Sequence, residues 1–253
     1  MTDGYSAMLQ LGRHSTENPK LAELPKSGGS RYMSTGPQHE RYAAWFERRR
    51  GPRDAQDEAD LLAIADAYDA AIMSGSLSAE QLESVVEGAS SPRGLLRNNA
   101  TKLLMKLSGR WPIAADAISN MFCSRQAHVR FAALCSLGRE TPVSVTEALL
   151  KAGLRDKSSR VRWKAADRAN CLERRNLVPE INAALNVESN DKARRSIELD
   201  LRMLRDGYWV EHESPGWTSV TARLHNGGIT CRAVSNDEFR AKGLEGILAE
   251  LRK

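Results

Sequence analysis

The sequence is poor in the features that mark disulfide scaffolds and membrane proteins. It has four cysteines, far apart along the chain, and no C-x-x-C pair. It lacks any apolar run of about 18 residues, the length that suggests a membrane-spanning helix. Its first residues hold no uninterrupted apolar stretch typical of a secretory signal. We therefore expect a cytoplasmic protein with no membrane association, whose reduced cysteines are small core residues.

Motifs of the common enzyme classes are absent as well. There is no G-x-G-x-x-G, no G-x-x-x-x-G-K-[ST], no H-E-x-x-H and no G-x-S-x-G. The five histidines are scattered, and His212 and His225, near the predicted strands, have no third ligand at zinc-site spacing. The sequence thus predicts no cofactor and no metal site, and it favours a protein that is not an enzyme.

Positive charge is concentrated in one part of the chain. Residues 91–207 hold 22 basic and 12 acidic residues, a net charge of +10, whereas residues 39–90 carry a net charge of −6. A basic stretch that follows an acidic one suits a polyanion or an acidic protein as partner. It equally suits two halves of one molecule that neutralise each other, and the sequence leaves these alternatives open.

A short phrase returns at nearly constant spacing through the basic stretch. Its four copies begin at Leu96, Val129, Val161 and Ala193, at steps of 33, 32 and 32 residues, and each has arginine in second place. Such periodicity marks stacked copies of one structural unit. Apolar spacing in this region predicts helices over about 92–108, 112–122, 126–138, 142–153, 158–173, 178–186 and 190–206.

The last part of the chain has a different pattern. From residue 208 apolar residues alternate with a period of two, Asn226-Gly227 is a hairpin signal, and Ser235 with Glu238 predicts the start of a final helix. The expected fold is mostly α, an α-solenoid (α–α superhelix) closed by a small C-terminal antiparallel sheet plus helix. We predict four parts: an extended arm (1–38), capping helices (39–90), helical repeats (91–207) and a C-terminal cap (208–253).

The segment Leu154–Ala166, LRDKSSRVRWKAA, resembles the HEAT repeat. In that repeat an acid ends the turn between two helices, and Val-Arg opens the second helix. Asp156 and Arg162 keep this arrangement, Glu188 and Arg194 keep the same separation, and serines replace the acid in the two earlier copies. The resemblance covers the repeats and concerns architecture, since HEAT arrays serve as adaptors, inhibitors, lyase subunits and DNA-repair enzymes.

Two interpretations compete for the repeated arginines. In the first, Arg97, Arg130, Arg162 and Arg194 form an inter-repeat ladder, bonded to turn acids and backbone carbonyls through the five donors of each guanidinium. In the second, the same groups face outward as a basic strip for phosphate. The first interpretation is favoured.

A candidate binding surface follows from the HEAT resemblance combined with helical geometry. If Val161 and Ala165 are buried, the same helix turns other residues outward, on the side that lines the concave face in HEAT-like arrays. Phe131 and Trp163 would then be neighbours in an aromatic and basic groove, as in an interface anchor or a base-stacking platform, unless both rings fill gaps between repeats. The predicted binding residues are Phe131, Arg160, Trp163, Lys164, Asp167, Arg168, Arg195 and Arg202.

The groove favours a non-enzymatic protein-binding scaffold, an adaptor or inhibitor, of which an immunity-type protein that occludes a toxin is one form. Its partner would be another protein with an acidic surface. The alternative partner is nucleic acid. Bacterial alkylpurine DNA glycosylases are HEAT-like proteins with tryptophans and an aspartate in a basic groove, and Trp163 with Asp167 is similar to that pair, although the family's tryptophan-rich local motif is missing.

That resemblance implies Asp167 as a catalytic residue, which would stabilise a cationic sugar during base loss. The competing interpretation pairs Asp167 with Lys164, Arg168 or a cation of a neighbouring repeat.

Overall fold

A computed structural model of this chain describes residues 37–48, 55–214 and 216–252. Nearly all of the predicted N-terminal arm, and residues 49–54 of the predicted capping helices, lie outside the described residues. The described chain is mostly helical, with a three-stranded antiparallel sheet and a C-terminal helix, as expected.

Eleven α-helices, one short 3-10 helix and three strands follow one another in the described residues. They are α1 (Gln38–Arg48), α2 (Ala55–Ser74), α3 (Ala79–Ser90), α4 (Gly94–Ser108), α5 (Pro112–Phe122), α6 (Ala127–Cys135), α7 (Val143–Leu154), α8 (Ser159–Cys171), the 3-10 helix (Arg175–Leu177), α9 (Val178–Val187), α10 (Asp191–Asp206), β1 (Tyr208–Ser214), β2 (Trp217–Arg223), β3 (Ile229–Ser235) and α11 (Asn236–Leu251).

The helices from α4 onward pack in two rows. Helices α4, α6, α8 and α10 contact one another in that order, and α5, α7 and α9 do the same, while each helix also contacts its neighbour along the chain. One continuous apolar core runs through this region and includes Leu103, Leu134 and Ile197. The packing agrees with the stacked helical pairs expected from the repeat. Assignment to the HEAT class stays a prediction.

Several helix starts follow the capping chemistry expected from the sequence. Ser78 and Gln81 form a complete capping box before α3, and Ser235 accepts a hydrogen bond from the amide of Glu238 at the start of α11. Pro112 occupies the first turn of α5, where its missing N–H costs nothing. These local signals explain why the predicted starts fall within about two residues of the observed ones.

The end of α6 differs from its prediction. The helix was expected to continue to residue 138 but ends at Cys135. Thr141, just before α7, is buried; its hydroxyl accepts a hydrogen bond from the Gly138 amide (2.9 Å) and bonds the hydroxyl of Ser108 (2.8 Å). This side chain therefore fixes the turn between α6 and α7, and α7 begins without a side-chain cap.

The sheet has the order β1-β2-β3, and both pairs of neighbours are antiparallel. Val220 and Ala222 of β2 and Val234 of β3 pack against Ile247 and Leu248 of α11 on one face. The odd-numbered residues of β2 lie on the other face, because side chains alternate along a strand. β1 contacts α10, which attaches the sheet to the end of the helical rows.

The four cysteines are less buried than predicted. Cys123 and Cys231 are exposed, and Cys135 and Cys171 are intermediate. The prediction that they are core residues is wrong for Cys123 and Cys231, which lie at the end of α5 and on the sheet edge, whereas Cys135 packs against the apolar core. None of the helices in the described ranges is both long and apolar enough to cross a membrane.

Candidate functional site

The repeated arginines all occupy the fourth position of their helices, α4, α6, α8 and α10. Each donates a hydrogen bond to the backbone carbonyl six residues before it. The donor and acceptor pairs are Arg97 with Ser91, Arg130 with Ser124, Arg162 with Asp156 and Arg194 with Glu188. These bonds tie the turn ahead of each helix to its first turn. The bonds that the ladder interpretation predicts are thus observed. Arg130 is buried, Arg97 and Arg162 are half-buried, and Arg194 is exposed.

Two of these arginines also bind a buried acid side chain from the turn before the next helix of the same row. Arg130 donates to both oxygens of Asp156, over 2.6 and 2.8 Å, and Arg162 contacts Glu188 over 2.7 Å. Burial opposes ionisation of Asp156, but hydrogen bonds from Arg130 and from the Ser158 amide outweigh it and lower its pKa. Fixed donors matched to a carboxylate explain why these positions are arginine rather than lysine.

The two aromatic residues of the predicted groove lie together under cations. The ring centroids of Phe131 and Trp163 are 6.2 Å apart. The Arg160 guanidinium lies 4.4 Å from the Phe131 centroid, and Lys164 Nζ lies 5.3 Å from Phe131 and 4.5 Å from Trp163. These are cation–π distances. The cluster joins α6 to α8.

Phe131 was expected to face outward as a binding residue, and this expectation is wrong. Its side chain is only 5% exposed. The reason is its place on α6, from which the ring turns toward α8 and lies beneath Arg160 and Lys164. Trp163 is half-buried. The aromatic pair therefore packs between the two helices, as the alternative interpretation held for Phe131.

The polar residues of α8 are also engaged. Lys164 Nζ donates to the Asp167 carboxylate over 2.9 Å, and Arg168 donates to the backbone carbonyl of Leu137 at the end of α6. The pairing of Asp167 with a nearby cation, the competing interpretation, is therefore observed. The carboxylate proposed for catalysis carries a fixed counter-ion, which holds it in place and weakens its effect on any other cation.

The two predicted binding residues on α10 are exposed and paired with acids. Arg195 forms an ion pair with Glu211 of β1, and Arg202 pairs with Glu198 one turn earlier on the same helix. Arg195 thus helps to join α10 to the sheet. Exposed pairs of this kind contribute little to stability and can exchange partners readily.

A half-buried acid that the sequence did not indicate lies beside this cluster. Asp200 of α10 accepts a hydrogen bond from the Asn170 amide of α8 over 3.0 Å, and Arg223 of β2 donates to the side-chain and backbone oxygens of Asn170. Burial and the charge of Asp167 raise the pKa of Asp200 to about 7, against the lowering effects of Asn170 and Lys164. Burial likewise raises the pKa of the Cys171 thiol.

Three helices of one row carry a basic residue at their second position. His128 on α6, Arg160 on α8 and Lys192 on α10 hold equivalent places, and we call them the basic column. Arg160 and Lys192 are exposed, His128 is intermediate, and none of the three has an ion pair within the described residues. Since α6, α8 and α10 contact one another in order, the column runs across the row.

The basic column departs from the charge pattern of other helices in the chain. Helices α1, α2, α3, α9, α10 and α11 have an acid in the first turn, where the helix dipole favours negative charge, whereas α4 to α8 have none there. In α10 this acid is Asp191, which precedes Lys192. A cation at this position costs roughly 0.3–1 kcal/mol of helix stability. The helix dipole therefore gives no reason for cations at this position, although Arg160 also packs on the Phe131 ring.

No group of three or more metal-ligating side chains occurs among the described residues. Comparison with known proteins adds little. No family model matches the chain, and no curated protein matches it. A crystal structure described as an engineered protein is similar at 17% identity, with a TM-score of 0.34, over 70% of this chain and 88% of that chain. The function must therefore be argued from the residues themselves.

Proposed function

We propose that this protein is a cytoplasmic, non-enzymatic protein-binding scaffold, an adaptor or an immunity-type inhibitor, built as a HEAT-like array. Its basic column binds the acidic surface of another protein. The observation that carries this proposal is that three adjacent helices have a basic residue at the same position, and that on α8 and α10 this residue is a cation, which the helix dipole disfavours there. A negative partner lowers the free energy of this arrangement, because it neutralises the cations and also meets the positive ends of the helix dipoles.

An acidic protein suits this surface better than nucleic acid does. Base stacking needs an open aromatic face, but Phe131 is buried and a lysine covers part of Trp163. Asp191, an exposed acid, is next to Lys192 in the column. A carboxylate there repels a phosphate backbone but can pair with a basic residue of a protein partner, so mixed charge favours specific protein recognition.

Nucleic-acid binding, with base loss at Asp167, is the alternative function. The three positive helix ends and the net charge of the helical region support it. The ion pair between Lys164 and Asp167 argues against the catalytic part, because a carboxylate already paired with a cation stabilises a developing positive charge less. This alternative predicts binding that depends steeply on salt and no need for a particular protein.

The test compares two double charge reversals that change the net charge equally. Arg160→Glu with Lys192→Glu reverses the basic column, and Lys102→Glu with Arg175→Glu reverses two exposed cations elsewhere. Proteins retained by the immobilised wild-type chain from an extract of its own cells are identified and purified. Each is then titrated against all three forms, and duplex DNA is titrated across a salt series.

We expect one acidic protein whose dissociation constant rises roughly 100-fold for the column variant and less than about threefold for the control variant. A purified partner that binds all three forms equally would contradict the proposed surface. Submicromolar DNA binding that collapses with salt and is lost only in the column variant would favour the alternative.

A further inference from the structure

Strand β3 forms an open edge of the small sheet. It pairs with β2 on one side, and the sheet order places no described strand on its other side. The side chains of Ile229, Cys231 and Ala233 are exposed, whereas Val234 is buried against α11. The exposed side chains all lie on the face opposite α11, because side chains alternate along the strand.

The backbone of the same three residues points away from the sheet. The Arg223 amide donates toward β1, to the Gly207 carbonyl, and the Leu224 amide donates toward β3, to the Gly228 carbonyl. Along an antiparallel strand, successive residues direct their backbone N–H and C=O groups to opposite sides. Arg223 directs its groups toward β1, so Ala222 directs its groups toward β3 and its register partner Thr230. The N–H and C=O groups of residues 229, 231 and 233 therefore point outward, with no hydrogen bond within the described residues.

This edge lacks the devices that usually prevent strand pairing. β3 contains no proline, and its pairing with β2 has no bulge. Its one charged residue, Arg232, lies on the α11 face, where Glu238 and Glu250 accept its hydrogen bonds. Trp217, at the start of β2, is 53% exposed on the same face as the apolar side chains of β3.

We propose that β3 pairs antiparallel with β3 of a second copy of this chain, around a twofold axis at Cys231. This register sets each Ile229 opposite the partner's Ala233, a large residue against a small one, and sets Arg232 opposite Thr230. If the twofold axis lay at residue 232 instead, the two Arg232 side chains would be opposite each other, and their like charges would repel. A twofold arrangement satisfies both edges with the same residues, as an isologous interface requires.

The register makes a geometric prediction. Residues that exchange both backbone hydrogen bonds across an antiparallel pair have Cα atoms about 5.5 Å apart. The two Cys231 residues would form such a pair, with Cβ atoms about 5.5 Å apart, which is farther than the roughly 3.5–4.5 Å of an unstrained disulfide but within reach of a short thiol crosslinker. A short bismaleimide, in which each end adds one thiol across its double bond, should therefore trap the dimer.

The experiment measures self-association of the full chain by sedimentation velocity over a concentration series. Ala233→Lys adds a charge to the open edge, and Ala241→Lys makes the same change at an exposed site of α11. We expect the dimer dissociation constant to rise at least about tenfold for Ala233→Lys alone. In a Cys123→Ser background, the bismaleimide should give a covalent dimer that disappears with Cys231→Ser.

Circular dichroism of each variant checks that the fold is kept. A wild-type chain that stays monomeric over the series would overturn the proposal, as would equal dimerisation of the two lysine variants. A covalent dimer that survives Cys231→Ser would overturn the register. The basic column is unchanged in these variants, so their outcome is independent of the proposed function.

Discussion

Replacing Asp200 by asparagine should make the protein more stable at neutral and alkaline pH. The carboxyl group has a pKa of about 7 in the folded protein, against an ordinary value of 3.8, because it is buried and faces the charge of Asp167. A carboxyl group with a raised folded pKa contributes stability below its unfolded pKa and loses it as the pH rises through the folded pKa. The amide oxygen that Asp200→Asn introduces can still accept the hydrogen bond from Asn170, and the new side chain carries no charge.

The size of the effect follows from the two pKa values. A pKa difference of roughly three corresponds to about 4 kcal/mol over the full pH range. Between pH 5 and pH 8 the wild-type protein should lose roughly 2–3 kcal/mol through this group alone. For a chain of this size that is a fall in Tm of roughly 5–10 °C relative to the Asp200→Asn variant.

The assay is thermal unfolding of wild type and Asp200→Asn at a series of pH values from 4 to 8. Asp116→Asn, at an exposed position of α5, is the matched control. We expect equal Tm values at pH 4 and a growing advantage for Asp200→Asn as the pH rises. Tm curves for Asp200→Asn and wild type that stay parallel would refute the reasoning, and so would an equal advantage for Asp116→Asn.

Two further predictions concern packing. Asp156→Ala should lower the free energy of unfolding in urea by about 3 kcal/mol, because it leaves Arg130 buried without its counter-ion. The control Glu198→Ala, which breaks an exposed ion pair, should lower it by under about 1 kcal/mol. Equal losses for the two variants would contradict the argument from burial. Gly153→Val should lower the free energy of unfolding by about 2 kcal/mol, because even a Cβ atom at this position would lie 2.9 Å from the Ala165 methyl group. An unchanged urea midpoint would show that α7 and α8 can move apart without cost.

The sequence predicted the elements well because their signals are local. The proline at the start of α5, the capping box before α3 and the Asn226-Gly227 turn each act within a few residues of the chain. The six-residue spacing between Asp156 and Arg162 is local too, and it correctly indicated a bond between the turn and the helix. The arginine ladder could therefore be predicted before any packing was known.

The candidate site could be predicted only in part because it depends on contacts between helices. A helical period shows which face of α6 carries Phe131 but not what the adjacent α8 places over that face. The network of Asn170, Asp200 and Arg223 joins residues 30 and 53 positions apart, on two helices and a strand. No spacing in the sequence marks such a contact, so the acid with the largest pKa shift was not among the predicted site residues.

The repeated phrase uses its basic residues for two different purposes. Arg160 and Arg162 are two positions apart on α8, and so point roughly 200° apart around the helix, with the buried Val161 between them. Arg162 is fixed by Glu188 and the turn, whereas Arg160 is exposed at the second position, where the dipole opposes a cation. The fourth position therefore holds the helices in place, whereas the second position of α8 combines a contact on the Phe131 ring with an exposed charge that a partner can meet. We expect a change at Arg160 to weaken binding with a smaller loss of stability than a change at Arg162, which should lower stability more than binding.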